Sequence, residues 1–161
     1  MALPSKLRTT WLMRRPSNSS TVGRVLSAAG GGTVVGVGTT LSQIERLDLT
    51  TGAGADTIST ASLAQDDSIR TSGGNDTVDV GRGNNDLADG GGDFDTLVAN
   101  MEGATSGVQY VSEGPYGNRF ADAHRDYTLD YRNFEVYKLT VSNFSDKLSG
   151  GGNADLLAGG G

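Results

Sequence analysis

An aspartate followed two positions later by an apolar residue recurs through this chain at intervals of nine to eleven residues. The series reads Asp56-Thr57-Ile58, Asp67-Ser68-Ile69, Asp76-Thr77-Val78, Asp86-Leu87-Ala88 and Asp95-Thr96-Leu97, and it returns at Asp146-Lys147-Leu148 and Asp155-Leu156-Leu157. A unit this short cannot bury a hydrophobic face alone, so it must stack on its neighbours. Glycine-rich stretches precede most of the aspartates: TGAGAD (51–56), TSGGND (71–76), GRGNND (81–86), GGGDFD (90–95) and GGGNAD (150–155). Gly and Asn enter the left-handed backbone region cheaply and so turn the chain tightly. The three residues that follow make a short strand whose middle side chain, such as Ile58, Val78 or Leu97, points inward. The apolar stripe of a helix and the long alternation of a sandwich strand are both missing, and the class is all-β.

Two units make one winding of about eighteen residues, and stacked windings pair as parallel strands about 4.8 Å apart. That stacking sets Asp56 beside Asp76, Asp67 beside Asp86, and Asp76 beside Asp95. Stacked carboxylates repel unless a cation lies between them. The charge distribution agrees, because residues 51–100 carry nine aspartates against Arg70 and Arg82. Nucleic acid is a poor partner for such a block, and a hard cation is its natural one. Glycine fills 25 of the 161 positions and aromatics only 6%, so the core must be thin; with no cysteine, neither disulfides nor thiolate metal sites can reinforce it.

The chain divides into four stretches. Residues 1–32 form a basic leader, expected to be flexible; Lys6, Arg8, Arg14, Arg15 and Arg24 stand there without an acid. It has no apolar run of signal-peptide length, and no stretch of the chain suits a transmembrane segment. Residues 33–98 read as degenerate windings followed by the repeats, 99–141 as inserted longer strands forming a hairpin, and 142–161 as the repeats resumed. The final GGG falls in mid-repeat, so the chain reads as a fragment.

The stretches TGAGADTIS (51–59), TSGGNDTVD (71–79), GGGDFDTLV (90–98) and GGGNADLLA (150–158) resemble the hemolysin-type calcium-binding repeats of RTX proteins. The resemblance implies a parallel β-roll, a kind of β-solenoid, with an antiparallel β-hairpin inserted and Ca²⁺ between the turns of adjacent windings. Carried over by position, the carboxylate ligands are Asp56, Asp76, Asp86, Asp95, Asp146 and Asp155, and the turn carbonyls are those of Gly52, Gly54, Gly74, Gly91 and Asn153. All-oxygen coordination of this kind suits Ca²⁺. The glycine-free unit SLAQDDSIR (62–70) implies that Asp67 closes a winding without binding an ion, and Asp93 stands where the pattern has glycine. By resemblance, such modules leave the cell unfolded through type I secretion machinery and fold outside, where calcium is plentiful.

No HExxH, GxSxG or GxxxxGK motif occurs, so the chain itself is read as a non-enzyme. His124, between Asp122 and Asp126, is read as a surface side chain rather than a catalytic one. Two alternatives concern the parent protein. The module is either the scaffold of a larger secreted hydrolase or toxin, or an adhesin that meets a cell surface or glycan through Tyr110, Tyr116, Tyr127 and Tyr131.

Overall fold

A computed structural model of the chain describes residues 25–28, 31–34, 39–42, 46–60, 66–114 and 117–160. Most of the basic leader and Tyr116 lie outside these residues. The described residues contain strands and turns but no helix, and so no helix long and apolar enough to cross a membrane.

The chain opens with β1 (Val25–Ala28), β2 (Gly31–Val34) and β3 (Thr39–Ser42), an antiparallel meander on the edge of the first sheet. From there successive strands alternate between two sheets. β4 (Asp48–Thr50), β6 (Ser68–Arg70) and β8 (Asp86–Asp89) pair in parallel in the second sheet. β5 (Thr57–Ser59), β7 (Thr77–Val80) and β9 (Thr96–Asn100) pair in parallel in the first, with β5 against β1. Residues 33–50 therefore split: β2 and β3 run antiparallel, while β4 joins the parallel stacking.

The strands are three to five residues long because each unit offers few strand-forming residues between turns. Their inward side chains line up in register. Ile58, Val78 and Leu97 form one file, Ile69, Ala88 and Tyr131 another, and all six are at most 1% exposed. Ala88 is a small residue where the repeat favours a larger aliphatic, and its strand partner Tyr131 fills the space.

Residues 101–141 extend this core. β10 (Val108–Gly114), β11 (Gly117–Asp122) and β12 (Thr128–Arg132) form an antiparallel meander whose last strand pairs in parallel with β8. The inserted hairpin is thus laid into the second sheet, with three strands rather than two. It brings the large side chains that the repeats lack: Phe120 stacks on Tyr131 at 4.8 Å between ring centroids, and Tyr131 meets Tyr137 edge-on at 5.5 Å. Tyr131 is only 1% exposed and so is not an open contact residue, while Tyr110 and Tyr127 are partly buried against the core. Outside the sheet, Arg132 grips Asp89 at 2.6 Å and locks the insert to β8.

The chain then returns to the first sheet as β13 (Val136–Thr140), parallel to β9. Lys147 bridges to Gln109 at the edge of the second sheet, and β14 (Leu156–Ala158) ends the first. Leu157, inward by position but uncovered, is 38% exposed.

The files make a differential prediction. Leu97→Ala should lower stability by about 2–5 kcal/mol, because it empties a fully buried position. Leu157→Ala should change it by about 0.5 kcal/mol or less, as for other open positions. Chemical denaturation of the two variants measures both, and equal losses would contradict the stacking register.

Candidate metal centre

One hydrogen bond repeats through the described residues. A carboxylate at or just before the start of a strand or bridge accepts the main-chain N–H of the residue aligned with it one winding earlier. Asp76 Oδ1 accepts from Asp56 N at 2.7 Å, Asp95 Oδ1 from Asp76 N at 2.8 Å, and Glu135 Oε2 from Asp95 N at 2.8 Å. In the second sheet Asp67 Oδ1 accepts from Leu47 N and Asp86 Oδ1 from Asp67 N, both at 2.9 Å. Asp146 Oδ1 accepts from Val108 N at 2.7 Å, and Asp155 Oδ1 from Tyr137 N at 2.8 Å. The proximities expected from the repeat, Asp56 to Asp76, Asp67 to Asp86 and Asp76 to Asp95, are all realised.

The second oxygens divide the set. Oδ2 of Asp67, Asp76 and Asp95 is buried with no hydrogen-bond partner, in side chains at most 1% exposed. Asp86 Oδ2 instead accepts from Gly83 N at 2.9 Å, and Asp155 Oδ2 from Gly151 N at 2.7 Å. A buried charged oxygen without a partner is costly. Burial accordingly pushes the carboxyls of Asp86 and Asp95 up to about 6, helped by the neighbouring charges of Asp67 and Asp76 respectively. Burial also raises Asp67 and Asp76; Thr60 and Thr71 temper the rise without reaching hydrogen-bonding geometry at Oδ2. The Thr71 hydroxyl is committed to the Gly90 carbonyl at 2.6 Å.

Glycine permits the close stacking of the turns. Gly74 has φ +104°, and a Cβ there would sit 2.6 Å from the Gly54 carbonyl. Gly91 has φ +91°, and its Cβ would collide with the Thr71 carbonyl. Gly52 meets nothing within 4 Å, so its position requires no glycine for packing. Asp93 adopts φ +78° in place of glycine, and its Oδ2 accepts from Gly74 N at 3.0 Å. It therefore both takes the strained turn and adds a carboxylate, beside an open groove lined by Gly54, Gly73, Gly74 and Asn75. The side chain of Asn153 donates from Nδ2 to the Glu135 carbonyl at 3.0 Å.

The structure thus gathers Asp56, Asp76 and Asp95 in one row and Asp67 with Asp86 in another. Asp146 lies at the edge beyond β10, and Asp155 aligns with Tyr137, two residues past the Asp95–Glu135 level. Asp67, expected only to close a winding, carries one of the unpartnered oxygens. Glu135 escaped the repeat pattern because it has neither the glycine cluster nor the aspartate. A separate group lies at the end of β11 and on the loop that follows it, where ligand atoms of Asp122, His124 and Asp126 come within 4.8 Å of one another and could hold a metal ion. His124 Nδ1 and Asp126 Oδ2 both contact the Thr105 hydroxyl there, at 3.1 and 3.0 Å.

No protein-family model, no curated protein and no solved structure matches the chain. The chemistry is therefore read from the geometry alone.

The raised carboxyls set a pH dependence for the chain without added metal. Folded Asp86 and Asp95 hold their protons up to about 6, against an ordinary aspartate value of 3.8. Their protonation stabilises the fold fully below the lower value, and this contribution is lost as pH rises through the upper one. Asp89 is the opposite case. Burial pushes it up, but hydrogen bonds from Arg132 and Asn133 outweigh that and hold it low, so its contribution is lost only at more acid pH. In chelator, far-UV circular dichroism should show more β structure near pH ~5 than near pH ~7, and the difference should shrink in Asp86→Asn/Asp95→Asn. A β content that rises from the lower to the higher pH in the parent chain would contradict the assignment.

Proposed function

We propose that this chain is a calcium-binding β-roll module of the RTX type, secreted and folded by the ion it binds. The observation that carries the reading is the set of buried, unpartnered Oδ2 atoms on Asp67, Asp76 and Asp95, held in stacked rows by the bonds their Oδ1 atoms accept. A divalent cation between such oxygens removes both the desolvation cost and the mutual repulsion. The nearby donors are carboxylate and carbonyl oxygens, which suits calcium; glycine turns bring carbonyls close to the next winding, as at Gly54 over Gly74. The residues present fit the ion.

The bound ion would supply charge neutralisation and cross-winding links, and no catalysis is assigned to this chain. Binding energy becomes folding energy in such a system. Without the ion, the acidic block of residues 51–100 repels itself, which fits passage through type I secretion machinery in an extended state and folding in calcium-rich surroundings outside. The Asp122–His124–Asp126 group includes an imidazole, which suits transition ions such as zinc better than calcium.

Far-UV circular dichroism during a calcium titration, with magnesium as control, tests the reading. The expected result is a gain of β structure with a midpoint of roughly 10⁻⁴–10⁻³ M, the range of extracellular modules. Asp76→Asn should weaken the response by at least about tenfold, and His124→Ala should leave it unchanged. Equal action by magnesium, or a β-rich spectrum in chelator that calcium does not alter, would sink the proposal.

A further inference from the structure

Glu135 lies in the turn Arg132-Asn133-Phe134-Glu135, which has no glycine, no aspartate and no place in the repeat. Its carboxylate nevertheless does what Asp76 and Asp95 do. Oε2 accepts the N–H of Asp95 at 2.8 Å, as Asp95 Oδ1 accepts that of Asp76 and Asp76 Oδ1 that of Asp56. The strand register agrees: Val136 aligns with Thr96 and Thr96 with Thr77, so Glu135 stands at the level of Asp95 and Asp76. Asn133, at φ +57°, gives this turn a left-handed residue, as Gly91 (φ +91°) and Asp93 (φ +78°) give the turn before Asp95.

A second observation points to a ligand between these two windings. Asp95 is 0% exposed, yet its Oδ2 has no hydrogen-bond partner. That oxygen borders the space over Gly90, where an added Cβ would lie 2.7 Å from it and would collide with the Asn133 carbonyl oxygen. Oxygens from both windings therefore converge on one small volume kept open by a glycine. Asn153 Nδ2 donates to the Glu135 carbonyl at 3.0 Å and ties the next turn to this one.

We infer that Glu135 is a calcium ligand, the carboxylate that continues the Asp56–Asp76–Asp95 row across the insert and completes a further ion site with Asp95 and the Asn133 carbonyl. This rests on the calcium reading given above. It assigns a binding role to a residue outside every repeat unit, and it makes the return of the chain from the insert to the first sheet an ion-linked junction.

Isothermal titration calorimetry with calcium, on the full chain and on Glu135→Gln, tests the assignment. Glutamine keeps an oxygen able to accept the Asp95 N–H but removes the charge, so a purely structural role survives the change. The expected result is one calcium fewer per chain, with the remaining sites unchanged in affinity and the metal-free circular dichroism spectrum preserved. The same number of ions bound with the same affinities would overturn the assignment while leaving the calcium module intact. No binding by the parent chain would overturn the calcium reading, and the role of Glu135 with it. Should the glutamine variant fail to fold, Glu135→Asp is read instead. It keeps the charge but retracts the carboxylate by one methylene, so a weakened single site is expected and an unchanged isotherm overturns the inference.

Discussion

Everything in the parallel part of this fold depends on carboxylates accepting main-chain N–H groups from the winding before, at 2.7–2.9 Å. A hydrogen bond to a charged acceptor contributes about 1.5–3 kcal/mol. Two like charges about 5 Å apart oppose it with roughly 3 kcal/mol at an effective dielectric of about 20. These opposing terms are comparable, so the rows are close to balance by themselves. A proton tips them, which is why the same residues show raised carboxyls, and a cation placed between them would act in the same direction. The thin apolar files cannot make the rows irrelevant, since each strand contributes one or two inward side chains to the core.

That balance explains the division of labour within each aspartate. Oδ1 fixes the position of the carboxylate by its bond to the main chain, and Oδ2 is then held in place, buried and without a partner in Asp67, Asp76 and Asp95. Ion ligands gain from being fixed beforehand, because less ordering is left to binding. Where the second oxygen is turned back onto its own turn, as in Asp86 toward Gly83 and Asp155 toward Gly151, the aspartate acts as a turn lock. Aspartates alike in the sequence therefore differ in what their second oxygen meets, and only their neighbours distinguish them.

The parallel stacking and its partners were legible because the period is short and side-chain alternation leaves one inward position per unit: Ile58, Val78 and Leu97 align as the spacing implies. The bond accepted by Oδ1 was not legible, since a ligand and an N–H acceptor call for the same residue at the same place. Glu135 was invisible for a different reason. Its turn reaches the left-handed region through Asn133, and its carboxylate comes from a longer side chain, so neither letter of the pattern survives. Asp67 carries a buried, unpartnered oxygen although its unit lacks glycine, because the absence of glycine bears on the turn, whereas the burial of Asp67 comes from its neighbours in the stack. The placement of Tyr131 in a contact surface failed because its strand β12 is absorbed into the second sheet, where its ring fills the room left by Ala88.

The insert also shows what a stacked array must conserve when its repeat is broken. Side chains alternate with a period of two, so a register shift of one residue would turn every inward residue outward, while a shift of two preserves the faces. Between β9 and β13 the level is kept, and Glu135 stands beside Asp95. Between β13 and β14 it moves by two, so that Asp155 meets Tyr137 while Leu157 still aligns with Leu139. The apolar file survives the step, but the carboxylate row does not, since Asp155 is displaced from the line of Asp95 and Glu135. Hydrophobic register therefore tolerates an even slip that the alignment of carboxylates does not, and the row of acidic side chains ends before the stack of strands does.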